Sequence, residues 1–227
     1  MSARYRSYPL IWRLARQLAR DLRCTLTFDV WKYAMALTVL ADHWQDHQLS
    51  PRTFALIGDG YGFLGALIRR YLPQTRLYCI DIPQTLVFQR GTHAIDLAEV
   101  FFVQPQNIED IHGMIDCAIN IASMQEMNAF TIEHHFRFLR QRSHKHSRFY
   151  CVNRVEKMLP GGEVVRFAEY PWHKDDDAFI DGRCPYYTHF LGKQTRLQGP
   201  RFLGLRVPFV NYFDGDIEHR LVRLRPM

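Results

Sequence analysis

Apolar positions recur along this chain at two different periods, and the change from one to the other divides it. Residues 8–23 place Leu10, Ile11, Leu14 and Leu18 on one helical face with Arg13, Arg16, Arg20 and Arg23 largely off it, which predicts an amphipathic helix. A second helix is expected from Asp29, as its cap, to near His47, with Trp31, Ala34, Leu37, Leu40 and Ala41 as its apolar stripe. Beyond Pro51 short apolar runs alternate with helical patterns: strands at 53–57, 76–80, 100–103, 114–121 and 147–152, helices near 61–72, 83–98 and 126–142. That rhythm predicts a mostly parallel α/β sheet with helices on both faces. After Gly161-Gly162 the pattern changes, and 164–168 and 203–212 read as a closing antiparallel pair of strands. Residues 170–200 between them read as a polar, aromatic loop of the length that is often functional or a lid. The chain thus divides into an N-terminal helical extension, 1–50, and an α/β domain, 51–227.

The first strand runs into a glycine-rich turn, Ile57-Gly58-Asp59-Gly60-Tyr61-Gly62-Phe63-Leu64-Gly65, and then into a helix. A strand that turns sharply into a helix leaves backbone N–H groups unpaired, and glycines let a ligand approach them. The second strand ends at Asp81, 23 positions after Gly58, where such folds hold ribose hydroxyls. Asp81 also suits the cap of the helix that begins at Pro83, and the two roles can coexist.

Ligands of open α/β sheets bind at the carboxyl ends of the strands. There this sequence places Gly58, Asp59, Gly60 and Tyr61, then Asp81 and Ile82. The third strand leads to Asn107, which could bond an adenine edge, and Ile108, which could pack on its face. The fourth leads to Asn120, Ser123, Gln125 and Glu126, and the fifth to Asn153 and Arg154. Their joint placement on one rim argues for a nucleotide-type site.

The 47% hydrophobic and 23% charged residues suit a globular protein with one substantial core, and no apolar run is long enough to span a bilayer. Five widely spaced cysteines, without a Cys-x-x-Cys pair, point away from zinc and disulfides and towards a reducing, cytoplasmic setting. The net charge of +6 comes from arginines near both ends, including Arg201, Arg206 and Arg220. It favours anionic partners, an anionic acceptor or peripheral contact with an anionic membrane, and equally describes a solvated basic face. No nucleic-acid motif accompanies it.

The segments IGDGYGFLG, CIDIPQTL and INIASMQEMN, in that order and spacing, resemble class I S-adenosylmethionine-dependent methyltransferases. More narrowly they resemble the sugar O-methyltransferase family, over roughly residues 50–155. The resemblance implies a Rossmann-like fold with a reversed final hairpin, S-adenosyl-L-methionine as cofactor, and methylation of a hydroxyl on a sugar or glycan precursor. It implies that Gly58, Gly60 and Gly62 approach the cofactor, that Asp81 takes the ribose and that Asn120 flanks the sulfonium. Ser123, Gln125 and Glu126 would face the cofactor or acceptor. One departure is Leu56, where methyltransferases usually carry an acidic residue; Asp59 is the candidate to supply the missing charge.

Glu126 is the first candidate for a general base, with His134 as a second. Asn153, Arg154, Tyr170 and Trp172, with Gln125, are the candidates for acceptor contact, since rings suit sugar faces and arginine suits anions. Asp175-Asp176-Asp177 could bind a divalent ion but is read as solvated, and no obligatory metal is expected. The competing readings are a non-catalytic subunit that keeps the fold, and a nicotinamide-dependent oxidoreductase. The latter is weakened by Phe63 at the dinucleotide motif's last glycine position.

Overall fold

The computed structural model describes residues 5–93, 97–187, 201–202, 205–206 and 216–226, the two residue pairs at 201–206 as backbone only. Two helices lead, α1 (Tyr8–Asp21) and α2 (Phe28–Asp46). The side chain that caps α2 is Thr27, whose Oγ1 accepts from Val30 N; Asp29, expected there, sits in the first turn and pairs with Lys32. Then come β1 (Thr53–Ile57), α3 (Phe63–Tyr71), β2 (Arg76–Ile80), α4 (Pro83–Thr92), β3 (Val100–Val103), β4 (Cys117–Ile121), α5 (Ala129–Gln141) and β5 (Arg148–Arg154). A small hairpin, β6 (Glu156–Met158) and β7 (Val164–Arg166), is followed by β8 (Asp177–Arg183). A short antiparallel pair, β9 (Arg201–Phe202) and β10 (Leu205–Arg206), precedes β11 (Ile217–Arg223).

Seven strands form one sheet in the order β3-β2-β1-β4-β5-β11-β8. The first five are parallel, and β11 runs antiparallel to both of its neighbours. The antiparallel closure is therefore real but is built from other residues than expected. Residues 164–166 turn back on 156–158 instead, and 203–204 and 207–212 lie outside the described residues. The expected loop at 170–200 contains β8, whose adjacent Phe179 and Ile180 are too sparse an apolar pattern to stand out in sequence. The described part of the expected helix 83–98 ends at Thr92.

The parallel strands are apolar on both sides because helices cover both faces. On one face Phe54, Leu56, Leu77 and Cys79 pack with α1, α2, α3 and the ring pair Tyr186 and Tyr187. On the other, Ala55, Ile57, Ile80 and Ala118 pack with α5 and with Phe167, Tyr170 and Leu224. The helical extension thus belongs to the main core: Ala34, Ala36, Leu37 and Leu40 of α2 have no exposed surface. All five cysteines are free, and four are buried. Among the described residues no helix is long and apolar enough to cross a membrane.

Candidate active site

The glycine turn is fixed by hydrogen bonds that begin where β1 ends. Gly58 N donates to Ile80 O at 2.9 Å, coupling the turn to β2. Gly58, Gly60 and Gly62 all have positive φ (72°, 58° and 83°), the backbone region that favours glycine. At Gly58 the demand is also steric, since an added Cβ would lie 2.1 Å from Ser123 Oγ. At Gly60 the loop faces open space, with Tyr33 Oη the nearest atom to an added Cβ, at 4.0 Å.

Asp59 points inward. Its carboxylate accepts from Leu64 N (3.2 Å) and Gly65 N (2.8 Å), capping α3, whose own N-cap, Gly62, offers no side chain. Burial pushes its pKa up to about 7, against the lowering effect of those two bonds. A carboxyl that is 4% exposed and bonded to a helix end does not meet a ligand's ammonium, so the compensation for Leu56 expected of it is absent.

Asp81 ties the turn to the second strand. One oxygen accepts from Ile82 N (2.9 Å) and the other from Gln89 Nε2 (2.9 Å), while Gly60 N and the Thr85 side chain also bond the carboxylate. Burial raises its pKa, and these bonds oppose the rise. The same Gln89 nitrogen donates to Gly60 O at 3.0 Å, so one amide bridges the turn and Asp81. Gln89 has no exposed surface and was missed in the sequence. Its signal was a polar residue at i+3 from Leu86, on the buried stripe of a helix.

Asn120 and Ser123 close the turn from the other side. Asn120 Nδ2 donates to Ile57 O (2.8 Å), and Ser123 Oγ donates to the same carbonyl (2.9 Å). Ala122 between them has φ 61°, a costly conformation for a residue with a Cβ, and it folds Ser123 back over Gly58. Asn120 Oδ1 accepts from Asn153 Nδ2 (2.7 Å), Asn153 Oδ1 from Gln125 N (3.1 Å), and Gln125 Oε1 from Arg154 N (2.9 Å). Asn120 and Asn153 have no exposed surface and Gln125 is 3% exposed. These three amides therefore knit the ends of β4 and β5 together, in place of the sulfonium and acceptor contacts expected of them.

Other expected residues are dispersed. Ile82 is exposed beside Asp81, and Asn107 is exposed in a 3-10 helix (Pro105–Asp110), whereas Ile108 is wholly buried and has no face to offer an adenine. Tyr61 is 74% exposed and meets the Phe88 ring edge-on at 5.5 Å. Glu126 ends a short 3-10 turn (Met124–Glu126) and pairs with Lys157; Asn128, not Glu126, opens α5. His134 Nδ1 lies 2.9 Å from Arg137 Nη2 of the same helix, in a contact that joins it to α5 and not to the turn. Tyr170 and Trp172 pack edge-on or tilted against Phe136, Phe149 and Phe167 beneath α5; Tyr170 is buried there and Trp172 is half-buried, so both serve this ring cluster and not the rim of the turn. The Asp175–Asp177 run is a solvated cluster only at Asp175, which is exposed. Asp176 takes both guanidinium nitrogens of Arg140, and Asp177 pairs with Arg223.

No family model matches this chain, and no curated protein matches it. Solved structures do. TehB from Haemophilus influenzae is 10% identical over 82% of this chain and 61% of that one, with a TM-score of 0.55. Coclaurine N-methyltransferase bound to N-methylheliamine and SAH is 11% identical over 65% of this chain and 51% of that one, with a TM-score of 0.50. The matched part spans less than two thirds of these chains, and 39% of the pyocyanin biosynthetic protein PhzM. At such identities the shared property is the fold. With its reversed β11 set between β5 and β8, this chain has the Rossmann-like α/β fold of the methyltransferases.

Proposed function

We propose that this chain is an S-adenosylmethionine-dependent O-methyltransferase. The observation that carries the reading is the joining of the glycine turn to both neighbouring strand ends: to Asp81 directly and through Gln89, and to Asn120 and Ser123 through Ile57 O. The residues present suit the cofactor at three points. Open space lies before Gly60, the half-buried Asp81 carboxylate stands at the end of β2, where a ribose would have to share it with the donors it already holds, and exposed Ile82 offers an apolar face to adenine. When bound, S-adenosylmethionine would supply an electrophilic methyl group for transfer to an acceptor hydroxyl. The chain's part is to align that oxygen and to take the proton, for which Glu126 is the carboxylate beside the rim. Its pairing with Lys157 holds it in place. The CIDIPQTL and INIASMQEMN segments support a sugar or glycan precursor as the acceptor.

A second reading, a binding subunit without turnover, is favoured by Leu56 and Asp59. The first is core and the second is committed to α3, so neither offers a charge to the cofactor's ammonium group. Calorimetry with S-adenosylmethionine, S-adenosylhomocysteine and NAD tests the class, and transfer of labelled methyl to a panel of sugars separates the two readings. Asp81→Ala is expected to weaken binding of the first two by about 1–3 kcal/mol, the cost of unmaking a buried polar contact. Glu126→Gln is expected to lower turnover and leave cofactor affinity unchanged. Tight NAD binding, or equal affinity in Asp81→Ala, would overturn the assignment.

A further inference from the structure

A hollow of about 780 Å³ lies between the helical extension and the glycine turn. Val30 and Tyr33 of α2 form one wall, Gly60, Tyr61 and Phe63 the floor, and Phe88 of α4 the other wall. None of the residues expected to contact the acceptor lines it. Its size is that of a site for a small molecule, and its predominance of rings and aliphatic groups is what such sites have. Gly60 opens directly onto it, since Tyr33 Oη, also a lining residue, is the nearest atom to an added Cβ. Tyr61 and Phe88 stand at 74% and 59% exposure, an edge-to-face pair on this wall that no helix of the described chain covers.

Charge narrows the ligand. No lysine or arginine is among the described residues that line the hollow, despite a net charge of +6 for the chain. The one charged lining group is the Asp29 carboxylate. Lys32, on the same helix as Asp29 and Tyr33, is 5% exposed, donates to Asp29 at 2.7 Å and sits over the Tyr33 ring at 4.7 Å, so its charge is committed inside the protein. A phosphate or carboxylate entering here would find no lysine or arginine on the described lining to pair with. Tyr33 keeps its proton, because burial and the nearby Asp59 and Asp29 charges raise its pKa, and it therefore presents a hydroxyl donor.

We infer that this hollow takes the acceptor, and that the acceptor is a neutral molecule with a flat apolar body, its hydroxyl-bearing end directed at Gly60. The inference rests on the proposed methyltransfer and deepens it: a sugar acceptor would enter as a glycoside carrying an apolar aglycone, and not as a free or phosphorylated sugar.

The test is calorimetric titration of the full chain, with and without saturating S-adenosylhomocysteine, using 4-nitrophenyl glucoside, glucose and glucose 1-phosphate as probes. The aryl glycoside is expected to bind under both conditions, at least about tenfold tighter than glucose or its phosphate, as burial of one ring in an apolar site implies. Phe88→Ala is expected to weaken the aryl glycoside by about tenfold and to leave S-adenosylhomocysteine within about twofold of its original affinity. Equal or better binding of glucose 1-phosphate would overturn the inference, as would aryl binding untouched by Phe88→Ala. Displacement of the aryl glycoside by S-adenosylhomocysteine would also overturn it, by making the hollow part of the cofactor site. Failure of the cofactor to bind at all would sink the methyltransfer reading, and the aryl glycoside arm would still decide whether the hollow accepts a neutral ring.

Discussion

Gln89 spends both amide hydrogens on acceptors, Gly60 O and Asp81 Oδ2, so its orientation is dictated: the opposite flip would set three acceptor oxygens against one another. Its own Oε1 is buried without a hydrogen-bond partner among the described residues, a cost that the double bridge offsets. Gln89→Leu should therefore lower affinity for S-adenosylhomocysteine by about 1–3 kcal/mol, read by calorimetry, without Asp81 being altered. The buried ionisable groups also set an acid response of definite sign. His135 has no exposed surface, and burial drops its pKa from 6.5 to about 4. The unfolded chain takes up that proton first, so the stability His135 contributes is present above pH 6.5 and is lost as pH falls towards 4, about 3 kcal/mol in all. Asp59 acts the other way. Its folded pKa near 7 makes the folded chain hold a proton that the unfolded chain loses near 3.8, so its contribution falls as pH rises from 4 to 7, by about 4 kcal/mol. Thermal melts across that window should show a steeper rise with pH in Asp59→Asn and a shallower one in His135→Leu. At this scale the sequence located the rim but not the direction of each side chain. Asp59, Asn120 and Ile108 stand at ligand-facing positions in the chain, and they turn inward because a helix end, a carbonyl and a core layer there need them.

Elements are held by pairings over distances that periodicity does not reveal. Arg140 on α5 makes two bonds to Asp176, at 2.7 and 2.8 Å, and donates to Pro171 O and Arg225 O, fastening the segment before β8 and the segment after β11 to one helix. Both side chains are nearly fully buried; burial pushes the Asp176 carboxyl up, but the bonds from Arg140, Arg225 N and His173 N outweigh it and hold the group below the usual carboxylate range. Arg140→Met should cost about 3–5 kcal/mol in urea unfolding, because it strands a carboxylate in the core, while Arg140→Met with Asp176→Leu should cost less. In the sequence Asp176 is one of three adjacent acids in a polar stretch, and its partner lies 36 positions earlier. The strands β1, β2, β4 and β5 were legible because each is a mostly buried apolar run, and the edge strand β3 because Val100-Phe101-Phe102-Val103 is apolar throughout although Phe101 is exposed. In contrast β8, at the sheet edge, is mostly exposed and carries no such run.

For the molecule as a whole, the helical extension is a structural half of the core and not an appendage. Residues Ile11, Ala15, Leu37 and Leu40 share one cluster with Phe54, Leu67 and Leu221. A chain begun at Pro51 should lose cooperative thermal unfolding and bind a hydrophobic dye, since a whole face of the sheet would be wet. The fold class could be read from the βαβ rhythm. The hollow could not, because it forms only where α2, the turn and α4 meet, and no segment alone encodes it.

The order of the sheet has a consequence for biosynthesis. Strand β11 is made after β8, yet it lies between β8 and β5, where it hydrogen-bonds to both. While the ribosome is still short of residue 217, β8 has no seat and β5 presents a bare edge, so that corner of the nascent chain stays open to chaperones and to stray strand pairing until β11 slots in.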